Sequence, residues 1–228
     1  MLIQKIKILN KVVLIISDLH LGDGSKKEDF FYDEELCDFL YNHRNDFIIL
    51  NGDIFELWQN YSILDIIRAH KKVTTYLSIY ADVIIKGNHD NNLKNFFGKE
   101  IVDNVVIGDT IIMHGHQFDI LNSGPLSIIG RLATWLTGLG EKFIHTNWER
   151  WMKAFINKWG RYSGKNTYYK RAKKFAKQNG FKNVIIGHTH KYKIKESKDF
   201  NYYNSGTWID GNKYEYLRIN VNKLKEKN

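Results

Sequence analysis

Five short polar clusters, each following directly on an apolar run, constrain this chain more than any other feature. They are Asp18-Leu19-His20, Gly52-Asp53, Gly87-Asn88-His89-Asp90, His114-Gly115-His116 and Gly187-His188-Thr189-His190. The runs before them (Val12–Ser17, Phe47–Leu50, Val83–Lys86, Thr110–Met113 and Asn183–Ile186) are β-branched and short, as in strands buried on both faces. In an open α/β sheet, residues just past the carboxyl ends of strands converge on one crevice. The sequence therefore predicts that five distant clusters share one edge of the molecule.

The donors gathered there are carboxylate, amide oxygen and imidazole, with no thiolate. Such a set suits manganese, iron or zinc in a working site better than a cysteine-rich structural zinc site. With this many donors, two ions sharing one bridging carboxylate is the economical reading. Glycines beside the ligands allow sharp turns and close backbone approach to a bound oxyanion. By contrast, His43, His70 and His145 stand alone and read as surface or hydrogen-bonded histidines. No Gly-x-Ser-x-Gly elbow, phosphate-cradling loop or Cys-x-x-Cys pair offers another chemistry.

Between the first runs lie helical patterns at Glu28–Tyr41 and Ser62–Tyr80, so β-α-β-α-β alternation predicts parallel strands with helices outside. Later runs, including Asn201–Asn204 and Tyr214–Asn220, follow one another more directly and predict a second, mixed sheet packed on the first. At 228 residues, 43% hydrophobic and 26% charged, the chain suits one soluble domain over 1–228. Cys37, its single cysteine, excludes an internal disulfide and fits a reducing compartment. The run Val12–Ile16 is too short for a signal peptide, and no apolar stretch is long enough to span a bilayer.

Residues 120–180 break the rhythm with a helical pattern and no convincing strand, and are expected to form an insertion. Ile144, Trp148, Trp151, Met152, Phe155 and Trp159 recur at three- and four-residue spacing. Between Leu121 and Gly180 stand 12 Lys and Arg against Glu141 and Glu149, so this stretch carries +10 of a net +9 and the remainder carries −1. An apolar face opposite a basic one suits an interfacial helix, or a lid with an acyl groove and a phosphate-binding rim. Arg131, Trp148, Arg150 and Trp151 are the expected substrate contacts there. Plain packing and nucleic-acid binding are the alternatives.

The order of the five clusters resembles the calcineurin-like metallophosphoesterase superfamily, over Asp18 to His190. That resemblance implies an α/β (α+β) fold, a four-layer α/β/β/α sandwich of two mixed sheets. It implies that Asp18, His20 and His190 hold one divalent ion, that Asp53 bridges, and that Asn88, His114 and His188 hold the second. His89, paired with Asp90, would act on the leaving group, and His116 would either support a ligand or touch substrate. Manganese is the first expectation, with iron or zinc as alternatives. Two ions roughly 3.5–4 Å apart polarise phosphoryl oxygens, offset developing charge and lower the pKa of water to about 7.

Within the superfamily the stretches 16–22, 52–58 and 203–208 look most like the UDP-2,3-diacylglucosamine pyrophosphatase branch. Two positions depart from it: His89 stands where arginine is frequent, and His116 where aspartate is common. The expected substrate is thus a phosphorylated small molecule or lipid-linked nucleotide, met in the cytoplasm or at an anionic membrane surface. Nucleases, cyclic-nucleotide phosphodiesterases and protein phosphatases share the motif order and remain rivals. A scaffold without activity should have lost ligands, and none is missing.

Overall fold

A computed structural model describes residues 3–6, 8, 12–25, 30–59, 62–118, 167–209 and 214–224. Two six-stranded sheets form its centre. The first runs β12 (Leu217–Asn220), β2 (Val12–Ile16), β3 (Phe47–Asn51), β4 (Ala81–Ile85), β6 (Lys99–Val102), β5 (Asn95–Phe96). Here β2, β3, β4 and β6 are parallel, while β12 and β5 pair antiparallel at the two ends. The second runs β1 (Ile3–Lys5), β7 (Asn104–Ile107), β8 (Thr110–Met113), β9 (Asn183–Ile186), β11 (Asn201–Asn204), β10 (Lys193–Lys195). Its β8, β9 and β11 are parallel, with antiparallel partners outside them. Both sheets are mixed, as predicted for the second.

The alternation along each strand builds four layers. Val13, Ile15, Ile49, Val83 and Ile85 face Val105, Ile107, Ile112, Ile185 and Tyr203 across the gap between the sheets. Their neighbours Leu14, Ile16, Ile48, Leu50 and Ile84 point the other way, onto Leu36, Leu40, Ile66, Val73 and Leu77 of the helices. On the far side, Val106, Ile111, Met113, Val184 and Ile186 meet Ala172 and Ala176. Each large apolar side chain buried this way is worth about 1.5–3 kcal/mol relative to exposure. That double-sided burial is why the runs read as continuous apolar segments.

Helix α1 (Asp33–Asn42) opens with Asp33, Glu34 and Glu35, acids that complement the helix N-terminus, and buries Leu36, Cys37 and Leu40. Burial pushes the Cys37 thiol up to about 11, which leaves it an inert core group. The pattern Ser62–Tyr80 is not one helix but two, α2 (Ile63–Ala69) and α3 (Lys71–Tyr80). They break at His70, whose Nδ1 bonds the Asp33 carboxylate at 2.8 Å and whose carbonyl accepts from the Thr74 hydroxyl at 2.9 Å. His43 likewise bonds its own helix, Nδ1 to the Phe39 carbonyl at 2.9 Å. His145 lies outside the described residues.

Within the predicted insertion, α4 (Thr167–Asn179) is helical and lies against β9 and β11. Its first turns sit beside the end of β8, where the Arg171 guanidinium donates to the Phe118 carbonyl and Phe175 packs edge-on to Phe118. Among the described residues no helix is long and apolar enough to cross a membrane.

Candidate metal centre

All five clusters meet at one edge, sewn together by their backbones. Asp18 N donates to the Gly52 carbonyl at 3.1 Å, His20 N to Asp53 O at 3.0 Å, and Gly187 N to His114 O at 2.8 Å. The last of these joins the ends of β8 and β9 within the second sheet. His188 N then donates to the Asp18 carboxylate at 2.9 Å and His89 N to the Asp53 carboxylate at 2.8 Å. Close approach leaves no room for side chains at the turns. A Cβ on Gly52 would meet the His114 ring at 2.6 Å, and one on Gly87 would land on the Asp53 carboxylate. Six non-glycine residues among those described have left-handed backbone, and five are site residues: Asp18, His20, Asp53, His188 and His190.

Three carboxylate–imidazole groups have donor atoms within 4.8 Å of one another among the described residues; one is His20, Glu56 and His89, and two carry the expected ligands: Asp18, His20 and His190, and Asp53, His114 and His188. Asp18 Oδ1 lies 3.3 Å from His190 Nε2. Asp53 Oδ2 lies 3.0 Å from His114 Nε2 and 3.8 Å from His20 Nε2, between the two groups. His20 Nδ1 is engaged by Glu56 at 2.8 Å and His114 Nδ1 by the Asn51 carbonyl at 2.8 Å. Those contacts turn each Nε2 inward. His20 Nε2 and the Asn88 side-chain oxygen are buried and make no hydrogen bond, and His114 Nε2 faces the Asp53 carboxylate. Buried polar atoms without partners are costly unless something binds them, and inward-facing nitrogen and oxygen donors beside two aspartates fit divalent cations.

The electrostatics agree. Burial alone would raise Asp53, but the imidazoles of His114, His89 and His20 hold it well below the usual carboxylate range. Asp18 is likewise lowered against its burial, by His114 and His190. Burial works against a charged His114, yet Asp53 and Asp18 raise it to about 10. Two buried anions thus demand positive charge at this spot.

His89 differs from expectation in its partner. The carboxylate at its Nδ1 is Glu56, at 2.7 Å. Asp90 instead accepts from the backbone of Gly87 at 2.6 Å, Ile54 at 2.8 Å and Phe55 at 3.4 Å, closing the third cluster onto the second. Burial and the neighbouring Asp53 push Asp90 up to about 6. The physical reason is local: three unpaired N–H groups draw the Asp90 carboxylate away from its chain neighbour. Glu56 escaped the sequence reading although its signal was present. An acid inside the run Ile54-Phe55-Glu56-Leu57 has to find partners once buried. It finds two, His20 and His89, which hold it far below the usual range against its burial.

His116 opens a short 3-10 turn, 5.6 Å from His114 and 6.4 Å from His188 between ring centres. Burial and those two imidazoles push it down to about 3, so it is neutral. Arg131, Trp148, Arg150 and Trp151 lie outside the described residues.

Two adjoining carboxylate–imidazole groups at the strand ends of a four-layer sandwich make a candidate divalent-metal centre. The chain belongs to the calcineurin-like phosphoesterase family, whose sequence model matches residues 11–192. Among solved structures it resembles the phosphoesterase YfcE from E. coli, with 16% identity, 94% of this chain and 95% of that one covered, and a TM-score of 0.45. A predicted phosphoesterase from Streptococcus pneumoniae shows 16% identity over 92% and 83%, with a TM-score of 0.39. Vacuolar protein sorting 29 from Cryptosporidium parvum shows 18% over 87% and 75%, with a TM-score of 0.41. No curated protein matches the chain in sequence.

Proposed function

We propose that this chain hydrolyses phosphoester or phosphoanhydride bonds with two divalent ions, one held by Asp18, His20 and His190 and one by Asn88, His114 and His188, with Asp53 shared. The observation that carries this reading is Asp53 Oδ2, placed 3.0 Å from His114 Nε2 and 3.8 Å from His20 Nε2, one from each group. Bound ions would polarise the phosphoryl oxygens and supply a nucleophile at neutral pH. The protein does the rest. Glu56 and the Asn51 carbonyl fix the tautomers of His20 and His114. Asn88 offers an oxygen without charge, which keeps the site attractive to an anion. His89 is raised against its burial by Asp53 and Glu56. With Nδ1 at Glu56, its Nε2 is the nitrogen left to protonate the leaving oxygen.

For the substrate we infer the pyrophosphate of a nucleotide-linked amphiphile such as UDP-2,3-diacylglucosamine, with manganese as the metal. This reading rests on the stretches 16–22, 52–58 and 203–208, and on the tryptophans and cations of residues 120–166. Those side chains would take the acyl part, at an anionic membrane surface facing the cytoplasm. The test is a panel of nucleotide-linked lipid, bis-p-nitrophenyl phosphate and single-stranded DNA, with manganese returned after chelation. Activity should vanish on chelation and return with metal, and the amphiphile should turn over fastest. Trp148→Ala with Trp151→Ala should slow the amphiphile and spare the small diester. Fastest turnover of DNA would replace the substrate reading, and no turnover under any divalent ion would end the enzyme reading.

A further inference from the structure

We infer that Trp58 is the positioning residue for His89, a role that rests on His89 being the leaving-group acid. Among the described residues, Glu56, His20 and Trp58 meet the His89 ring. Glu56 meets Nδ1 at 2.7 Å, a contact at one edge atom of the ring. His20 meets the ring edge-on, with centres 4.6 Å apart and planes at 80°. Among the described residues Trp58 covers a face, stacked at 4.1 Å between centres with planes 18° apart. A flat indole against one face and a perpendicular ring against the side define the plane that the charge contact at one atom does not.

That plane matters because the proton sits on one atom. Swinging the side chain about its Cα–Cβ bond moves Nε2, at the far end of the ring, through a wider arc than Nδ1, and a ring stacked on its face blocks that swing. Proton transfer needs Nε2 within hydrogen-bond reach of the leaving oxygen. The turn Leu57–Gln59 that carries Trp58 continues directly from Glu56, so one short segment delivers both the charge partner and the ring partner. Trp58 itself offers no group to the metal clusters, and its removal should leave their donors in place.

The test compares Trp58→Leu with Trp58→Phe in the full chain. Trp58→Leu should keep both metals, counted per folded molecule. It should slow substrates with poor leaving groups by about 10²-fold, the loss typical of a misplaced catalytic group, and barely affect nitrophenyl substrates. Trp58→Phe should restore most of the loss, because a ring still covers the face. Added to His89→Ala, Trp58→Leu should cost nothing further. In the chelated protein, the His89 ring protons should lose their indole ring-current shift in the leucine variant. Equal slowing of all substrates, loss of metal, or unmoved His89 resonances would each overturn the role. A protein with no phosphoesterase activity would defeat the functional reading alone, since the ring-proton shift decides the contact without turnover.

Discussion

Glu56 Oε2 stands 2.8 Å from His20 Nδ1 and reaches His89 Nδ1 at 2.7 Å, so one carboxylate oxygen serves a candidate metal ligand and the candidate acid together. Partners of this kind orient a ligand and raise its basicity, and their loss costs about 10–100-fold in affinity or activity. Glu56→Gln should therefore lower turnover by about that factor and weaken one metal. Asp90→Asn should behave otherwise. Its carboxylate accepts three backbone N–H groups, and leaving one unpaired costs about 1–3 kcal/mol. The variant should melt earlier while keeping its turnover per folded molecule. Normal melting with turnover as poor as in His89→Ala would return Asp90 to the role of histidine partner.

Removal of the shared carboxylate should be the most damaging change at the centre. Asp53→Ala should abolish activity and leave one bound metal or none, measured by metal content after gel filtration. A variant that holds two metals tightly and works near normally would refute the shared-ligand arrangement.

Acidity should act on the metal-free and metal-loaded proteins in opposite directions. His114 rises from its ordinary 6.5 to about 10, so its contribution to folding is complete below about 6.5 and is lost as pH climbs through about 10. Asp18 and Asp53 are lowered, so theirs is present above the ordinary carboxylate range and lost only in acid. The chelated protein should accordingly show a falling Tm between pH 6.5 and 10. Metal binding needs unprotonated imidazoles and releases protons, so the gain in Tm on adding manganese should grow over the same interval. A flat chelated profile would deny His114 its charge.

Much of the centre was legible because its requirements are strict. Buried two-sided strands need unbroken apolar runs, and ligands at their ends need specific donors with glycine beside them. The runs that became β3, β4, β8 and β9 show both. Shorter pieces lacked such marks: β5 has two residues, β10 is Lys-Ile-Lys at a sheet edge, and β6 and β7 meet at Asp103 with no turn sequence between them. The partner of His89 was misread for a different reason. Adjacency in sequence favoured Asp90, yet the choice was made by unsatisfied backbone donors from another cluster, which no local pattern displays. Helix α2–α3 broke at His70 for a similar cause, a bond to a residue on another helix.

The left-handed backbone at Asp18, His20, Asp53, His188 and His190 carries a consequence for descent. Each such residue costs about 1–3 kcal/mol, and asparagine or glycine would bear the same geometry more easily. Selection for endurance and selection for catalysis therefore oppose each other at the same five codons. His188→Asn should render the chelated protein harder to melt while silencing it. A lineage freed from hydrolysis would drift to asparagine and glycine at these positions first, long before its sheets lost their apolar alternation, and that order of decay would mark which descendants still cut phosphate.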